Sequence, residues 1–544
     1  MSIESAPDSP QTVAKSSFAF LSGSVFSRLS GLGRDTAMAF AFGSNPAIAA
    51  FMVAFRFANL IRRLFGEGPL SAGFIPHFEE LRSQSPQRGA QFFRDLFFSL
   101  AFFLMVLIGG IEVVLFCILS WGNLAPDNAQ ILYLTMLMMP GILFICLFGL
   151  SGGFLQCEGR YFMTGFAPVA FNVVWIAVVF LLKDQDPTLA VFPLSLSIVI
   201  AFLLQWAMIA PLTFSFLKRH LSWDEVLSPR VFSPELRRVF KPFLLGIMGV
   251  GAVQINSALD AIFARYASLE GPAYLWYAIR IEQVPLALFG IALSAALLPP
   301  LSRAIKEGNS GNYLKLLRFS LSRSFSLIFP CTVGIFVLGV SGVNLLYGHG
   351  DFTVEATYQT VLCLWGYGLG LLPAGFVLLL APALYANKEY RIPTIGSIAS
   401  VVLNICLTAL FVFGFGWGAF SIAVATSVCA WFNYFYLSYH LTKKIKQSPL
   451  NREVIVSFAK TGICTLVAGA VTLLFAQLFV GDSTLGIAVK SGEVFFDRQF
   501  SVQLMRFLSL SGTFVLIFFS YAWMVNAEDV LELISLRQKR TSSS

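Results

Sequence analysis

Apolar runs of about twenty residues recur along the whole chain, separated by short stretches that hold most of its Lys, Arg, Asp and Glu. At a rise of about 1.5 Å per residue, a helix of that length crosses the ~30 Å hydrocarbon core of a bilayer. The pattern predicts about fourteen membrane helices, at roughly 15–41, 46–80 (interrupted), 94–121, 130–154, 162–182, 189–216, 241–265, 273–303, 318–343, 357–386, 392–413, 418–442, 454–480 and 502–526. The expected class is therefore an all-α polytopic membrane protein.

The loops carry an orientation signal. Alternate loops hold Arg82, Arg88 and Arg94; Arg160; Lys218, Arg219, Arg230, Arg237 and Arg238; Lys306 and Lys315; Lys388 and Arg391; Lys443, Lys444, Lys446 and Arg452; and the tail Arg537, Lys539 and Arg540. The opposite loops hold little beyond Lys183, Arg265, Lys490 and Arg498. By the positive-inside rule both termini are expected in the cytoplasm. The first dozen residues are polar and acidic and show no cleavage site, so the first helix is expected to be retained.

Composition agrees. The chain is 57% hydrophobic and 12% charged, against about 25% charge for a soluble domain. The formal charge of +8 does not point to nucleic acid, because the basic residues are scattered over loops and form no single face. The eight cysteines lie mostly in apolar runs and never in CxxC spacing, which reads as small core residues. The four histidines have no metal spacing, and no nucleophile elbow or Walker motif occurs, so no enzyme activity and no cofactor are expected.

A shift of 224 residues aligns the segment from Phe51 with that from Leu275: Ala54 meets Ala278, Arg56 meets Arg280, Leu64-Phe65-Gly66 meets Leu288-Phe289-Gly290, and Pro76 meets Pro300. A weaker echo relates the hairpin from Leu155 to that from Leu384. Six helices per repeat, an even number, imply two pseudo-symmetric six-helix lobes of the same orientation around a central cavity. The expected organisation is 1–225 for the first lobe, 226–447 for the second, and 448–544 for two extra helices and a cytoplasmic tail.

Several charges fall where lipid should be. Arg28 is mid-span in the first helix, where an uncompensated charge costs at least ~2.5 kcal/mol. Arg34 and Asp35 follow it; Arg56, Arg62, Arg63 and Glu67 lie in the second helix, Asp260 in the seventh, and Arg280 and Glu282 in the eighth. Arginine presents a planar fork of donors suited to phosphate, so several around one cavity point to a pyrophosphate or polyanion site. Against this stand snorkelling of the arginines to an interface and structural pairing with Asp35 or Glu67. The Gly66, Gly68, Pro69 cluster, and Pro285 with Gly290, mark breaks or bends in the second and eighth helices. Asp260, with Asn404, Thr408 and Thr426, offers oxygen ligands for a hard cation such as Na⁺, or Asp260 could carry a proton; a satisfied interhelical polar pair is the alternative.

The stretch FSRLSGLGRDTAMAFAFGSNPAIAAFMVAFRFANLIRRLFGEGPLSAGFIPHFEEL from Phe26 closely resembles the start of the MurJ/MviN family of lipid II flippases. YAIRIEQVPLALFGIALSAALLPPLSRA from Tyr277, LYGHGDFT from Leu346 and APALYANKEYRIPT from Ala381 extend the resemblance through the repeat. It implies membership of the multidrug/oligosaccharidyl-lipid/polysaccharide exporter superfamily, alternating access, and a lipid-tail groove formed by the last two helices. It also implies lipid II as substrate in a bacterial inner membrane, with Arg28, Arg34, Arg62 and Arg280 matching the cavity arginines and Glu67 the helix-two acid. Membrane lipids and the peptidoglycan synthesis machinery are the expected partners, as a monomer, and Na⁺, H⁺ or the membrane potential the expected drive. Two departures stand out: Ala49 and Ile279 occupy positions that relatives fill with acids, leaving Glu282 as a substitute partner for Arg280. Thr408 likewise stands at a position that can be acidic in relatives. The rival readings are a polysaccharide-lipid flippase, a cation-coupled drug exporter, and a non-transporting scaffold for wall assembly. A drug-cation exporter should line its cavity with acids and aromatics, not arginines.

Overall fold

The computed structural model describes residues 10–66, 69–231, 233–480, 498–527 and 530–531, which are almost entirely helical. In chain order the first helices are α1 (Pro10–Phe42), α2 (Pro46–Phe65), α3 (Pro69–Gln84), α4 (Pro86–Trp121), α5 (Pro126–Met138), α6 (Gly141–Cys157), α7 (Tyr161–Phe166), α8 (Pro168–Leu182), α9 (Pro187–Ala207), α10 (Ala210–Leu217), α11 (Trp223–Val226) and α12 (Pro234–Ala267). They are followed by α13 (Gly271–Pro285), α14 (Ala292–Lys306), α15 (Ser310–Tyr347), α16 (Val354–Ala386), α17 (Arg391–Ala409), α18 (Phe420–Ile445), α19 (Arg452–Phe475) and α20 (Phe500–Met524).

Proline sets many of the starts. It opens α2, α4, α5, α8 and α9, where its missing N–H costs nothing because a first-turn amide has no intrahelical acceptor. Caps reinforce two of these: Asn45 Oδ1 accepts from the Ala47 amide at 2.9 Å, and Asp186 Oδ1 from the Thr188 amide at 2.8 Å.

Among the described residues nine helices are long and apolar enough to cross a membrane, or ten if α5 and α6, bent by 46°, form one broken span. The sequence reading expected an unbroken helix over 130–154. Pro140 supplies no backbone donor, and the chain turns there. The other four expected spans, 15–41, 46–80, 241–265 and 273–303, are helical in their described residues as well but are not among these nine or ten; 46–80 and 273–303 are each divided into shorter helices. Only 11% of the most apolar stretch of α4 is buried, and Phe102, Met105, Val106, Val113 and Phe116 stand exposed along it. So large an apolar surface requires hydrocarbon as its solvent.

Both expected breaks are present. α2 ends at Gly66, whose amide donates to the Arg62 carbonyl at 2.7 Å, and α3 begins afresh at Pro69. After Pro285 the helix widens into a π turn, Leu286–Ile291, before α14 resumes. Proline removes the amide that would close the regular ladder, and the wide turn absorbs the mismatch.

Contacts group the chain into two compact units, Met1–Ile262 and Phe263–Ser544. The internal repeat instead divides it by sequence likeness, at 225/226 and 447/448, so the two divisions describe different properties. In the first unit α1 packs on α7 and α8, and α2 on α5, α6 and α9. Aromatic rings fill the centre, with Phe51 and Phe55 edge-on to Trp175 at 5.5 and 5.0 Å and Phe171 stacked on Phe202 at 4.7 Å. The linker after α10 is tied to the base of α4. Arg94 donates to Asp95 Oδ1 through Nε and Nη2, at 2.8 and 2.6 Å, and through Nη1 to the Glu225 carbonyl at 2.6 Å. Asp95 in turn accepts the Arg230 amide at 2.9 Å. In the same linker the Ser222 amide, bonded to Glu225, holds that exposed carboxyl below its usual range.

In the second unit α16 is central, packed against α13, α15 and α18, with Leu301, Leu317, Leu380 and Leu441 buried between helices. The two extra helices, α19 and α20, pair through Cys464, Ala468, Phe514 and Phe518 and lean on α15. Small residues permit the closest crossings, because helices in lipid associate through packing and not through water exclusion. A Cβ added at Gly370 would lie 2.6 Å from Ser427 Oγ, and one at Gly149 of α6 only 1.8 Å from the Gly66 carbonyl oxygen. Backbone cannot yield as a side-chain tip can. Gly149→Ala is therefore expected to cost upwards of about 3 kcal/mol and to lower the melting temperature of the purified protein, whereas Ala at Gly109, with open space around it, leaves it unchanged.

Candidate functional site

The charged positions singled out from sequence fall into different surroundings. Arg28 lies on the exposed face of α1 with Val25, Leu29 and Leu32, and among the described residues it has no hydrogen-bond or ionic partner. Arg34, six residues on, is turned about 120° from it around the helix, since each residue advances ~100°. It is buried against α8.

Arg34 is engaged from several sides. Its Nε and Nη2 donate to Asp35 Oδ1 at 3.0 and 2.7 Å, and Nη1 donates to Asn172 Oδ1 at 3.1 Å. The guanidinium lies 4.6 Å from the Trp175 ring and 6.0 Å from that of Phe171. Asn172 completes the set by donating to Ser30 Oγ at 2.9 Å and to the Ser27 carbonyl at 3.2 Å. Arg34 and Asn172 thus fasten α1 to α8. Neither Asn172 nor Trp175 was identified from sequence as a partner, although Asn172 is the single amide in the otherwise apolar run PVAFNVVWIAVVFLL.

On α2, Arg56 and Arg63 are seven residues apart and share a face. Arg56 Nη1 donates to the Ser257 carbonyl at 3.3 Å, and Arg63 Nη1 to Gln254 Oε1 at 3.2 Å, both on α12. Arg62 stands ~100° off that stripe, half-buried, in the last turn before Gly66. Glu67 lies outside the described residues. The acceptors Gln254 and Ser257 had no signal in the sequence, because a backbone carbonyl and a lone glutamine are not distinctive in a helix.

In the second unit Arg280 is half-buried on α13, its guanidinium 4.4 Å from the ring of Trp276 one turn before it. This i,i+4 pair was legible in YLWYAIR. Glu282 is buried on the same helix.

The candidate cation ligands are divided between the units. In the first, Asp260 is buried and accepts from Asn256 Nδ2 at 3.2 Å. In the second, Asn404 and Thr408 are buried one turn apart on α17. The Thr408 hydroxyl has no hydrogen-bond partner among the described residues. Thr426 donates to its own helix, at the Ile422 carbonyl, 3.0 Å away, which leaves its lone pairs as acceptors. Among the described residues no group of three or more His, Cys, Asp or Glu could hold a metal.

Comparison with known proteins gives a consistent result. A family model described as "Lipid II flippase MurJ" matches residues 38–491. A Chlamydia pneumoniae protein named "Probable lipid II flippase MurJ" is 32% identical over 537 residues, covering 98% of this chain and 97% of the relative. A Burkholderia cenocepacia protein named "Lipid II flippase MurJ" is 29% identical over 421 residues, 74% of this chain and 79% of the relative. Among solved structures, "Lipid II flippase MurJ, inward closed conformation" superposes with a TM-score of 0.72 at 22% identity, covering 95% of this chain and 99% of that one. An inward-facing multidrug resistance MATE family transporter follows at 0.63 and 15%, covering 79% and 98%. At those identities the structural likeness speaks for the fold.

Proposed function

Because the chain belongs to the lipid II flippase MurJ family, we propose that it moves lipid II from the cytoplasmic to the periplasmic leaflet of the inner membrane by alternating access. The observation that carries this reading is the placement of arginine on helices that otherwise read as membrane spans, above all Arg28, which projects from α1 among exposed apolar side chains. A guanidinium facing acyl chains would be unstable there, so that face of α1 meets water or an anionic ligand.

In this reading Arg28, Arg62 and Arg280 hold the pyrophosphate and the adjoining sugar-peptide head group, with Glu67 contributing nearby. Arginine keeps its charge at any physiological pH and offers two parallel N–H donors to phosphate oxygens. Arg34 serves the same site as a positioning residue: its bonds to Asp35 and Asn172 fix the rotation of α1 and thereby the direction of Arg28. The undecaprenyl tail stays in the bilayer against α19 and α20. No bond in the substrate is made or broken, so no catalytic residue is required.

Direction requires a difference in affinity or energy between the two access states, because equal binding to both shifts nothing. The membrane potential or a coupled ion supplies it, with Asp260, Asn404, Thr408 and Thr426 as the candidate oxygens for Na⁺, or Asp260 for H⁺. Both termini are cytoplasmic, the working unit is a monomer, and the head group is handed on to the peptidoglycan synthesis machinery.

The reading is tested by depleting the protein in cells and measuring lipid II accessible at the outer face of spheroplasts. Exposure is expected to fall severalfold on depletion and to return when the chain is restored. Unchanged exposure in its absence would instead support a scaffold role in wall assembly.

A further inference from the structure

At one end of the second unit, α15, α19 and the turn after α20 enclose a cavity of about 580 Å³. Lys315, Arg318 and Lys460 line it, with Glu453 as the only carboxylate among the described lining residues, so it is cationic on balance. Two of the cations are held in place: Arg318 Nη2 donates to the Ser448 carbonyl at 2.9 Å, and Lys460 Nζ to the Asn526 carbonyl at 3.1 Å. Arg318 Nε is buried with no hydrogen-bond partner among the described residues. Three cations against one carboxylate, partly withdrawn from water, favour an anion in the cavity.

The surroundings specify what kind. Phe319 and Val456, which also line the cavity, are 52% and 45% exposed, and the apolar exposure continues along α19 through Ile463 and Leu466, at 50% and 59%. Charge at one end and bare hydrocarbon running away from it match an amphiphile. The basic loop residues Lys443, Lys444, Lys446 and Arg452 precede the cavity in the chain, on the side that the loop charges assign to the cytoplasm. The shared chemistry is a phosphate anion, and the apolar flank selects its lipid-borne form.

We propose that this cavity is a binding site for the phosphodiester head group of an anionic phospholipid of the cytoplasmic leaflet, whose chains lie along α19 and fasten the α19–α20 pair to α15. The site uses none of the arginines assigned to lipid II.

The full chain, purified and delipidated, is titrated with phosphatidylglycerol or phosphatidylcholine and bound lipid is counted by native mass spectrometry. One phosphatidylglycerol per chain is expected to be retained in preference to phosphatidylcholine. Lys315→Gln with Lys460→Gln weakens that binding about fivefold for each charge removed. The control pair Lys443→Gln with Lys446→Gln, the same change in charge outside the cavity lining, leaves it unaltered. Should the cavity pair fail to fold, Lys315→Gln alone, at an exposed side chain, gives the same comparison at about fivefold. Equal loss in cavity and control variants, or equal retention of the two lipids, overturns the proposal. Displacement of the lipid by inorganic phosphate at matching concentration would assign the cavity to a soluble phosphate and overturn the lipid assignment.

Discussion

Lipid II flipping by the Arg28→Ala and Arg280→Ala variants is expected to fall roughly thirty- to a hundred-and-fiftyfold, the loss of about 2 to 3 kcal/mol of charge-assisted hydrogen bonding to phosphate in the rate-limiting state. Arg28 suits this test because it has no partner among the described residues, so its removal disturbs the fold little. Arg280 is held by more than its contact with the Trp276 ring, which alone is worth about 0.5 to 1 kcal/mol at a half-exposed site. Membrane levels and melting temperature of Arg28→Ala should therefore stay near those of the parent while transport collapses, and transport by Arg280→Ala is read per folded molecule. Lysine at either position keeps the charge but not the fork, and should restore only part of the rate. The measurement is flipping in reconstituted vesicles at equal protein density. Full transport by both alanine variants would dismantle the proposed site.

Arg34 is expected to behave differently, and the contrast separates holding substrate from holding the protein. Arg34→Ala leaves the Asp35 carboxylate buried without its guanidinium, and breaking such a pair costs about 3 to 5 kcal/mol. The variant should be scarce in the membrane and melt early, before any question of transport arises. Arg34→Met combined with Asp35→Leu removes both charges and keeps the volume, so most of that stability should return, since a buried ion pair is often replaceable by well-packed apolar groups. Thermal melts of the single and double variants, followed by flipping assays on the double, give the answer. If the double variant is stable and still transports at a sizeable fraction of the parent rate, Arg34 works through the placement of α1. A stable double variant with no transport would make Arg34 a direct ligand of the head group.

Much of this was legible in the residue order. Apolar length identified the membrane class, because crossing a ~30 Å hydrocarbon layer imposes a minimum run that soluble helices seldom reach without charge. Proline and glycine marked the breaks at Gly66–Pro69 and after Pro285, since both act through the backbone at their own position. The bend at Pro140 carried the same signal and was passed over, because the apolar run continues through it. The family resemblance, carried by Phe26 to Leu81, was confirmed by relatives matching nearly the whole chain.

The partners of the buried charges were not legible. Sequence placed Arg28 and Arg34 in one helix and offered both to the same ligand, whereas packing separates them: Arg34 is bound to Asp35 and Asn172, and Arg28 faces outward. Asn172 lies 138 residues from Arg34, and Gln254 lies 191 from Arg63. No local rule connects such positions. The sequence by itself determined that the chain spans a membrane, where its helices break and which charges need compensation, because these follow from transfer energies and backbone chemistry at each residue. Only the tertiary structure decided which charges are already satisfied by protein, because that depends on which helix faces are brought together.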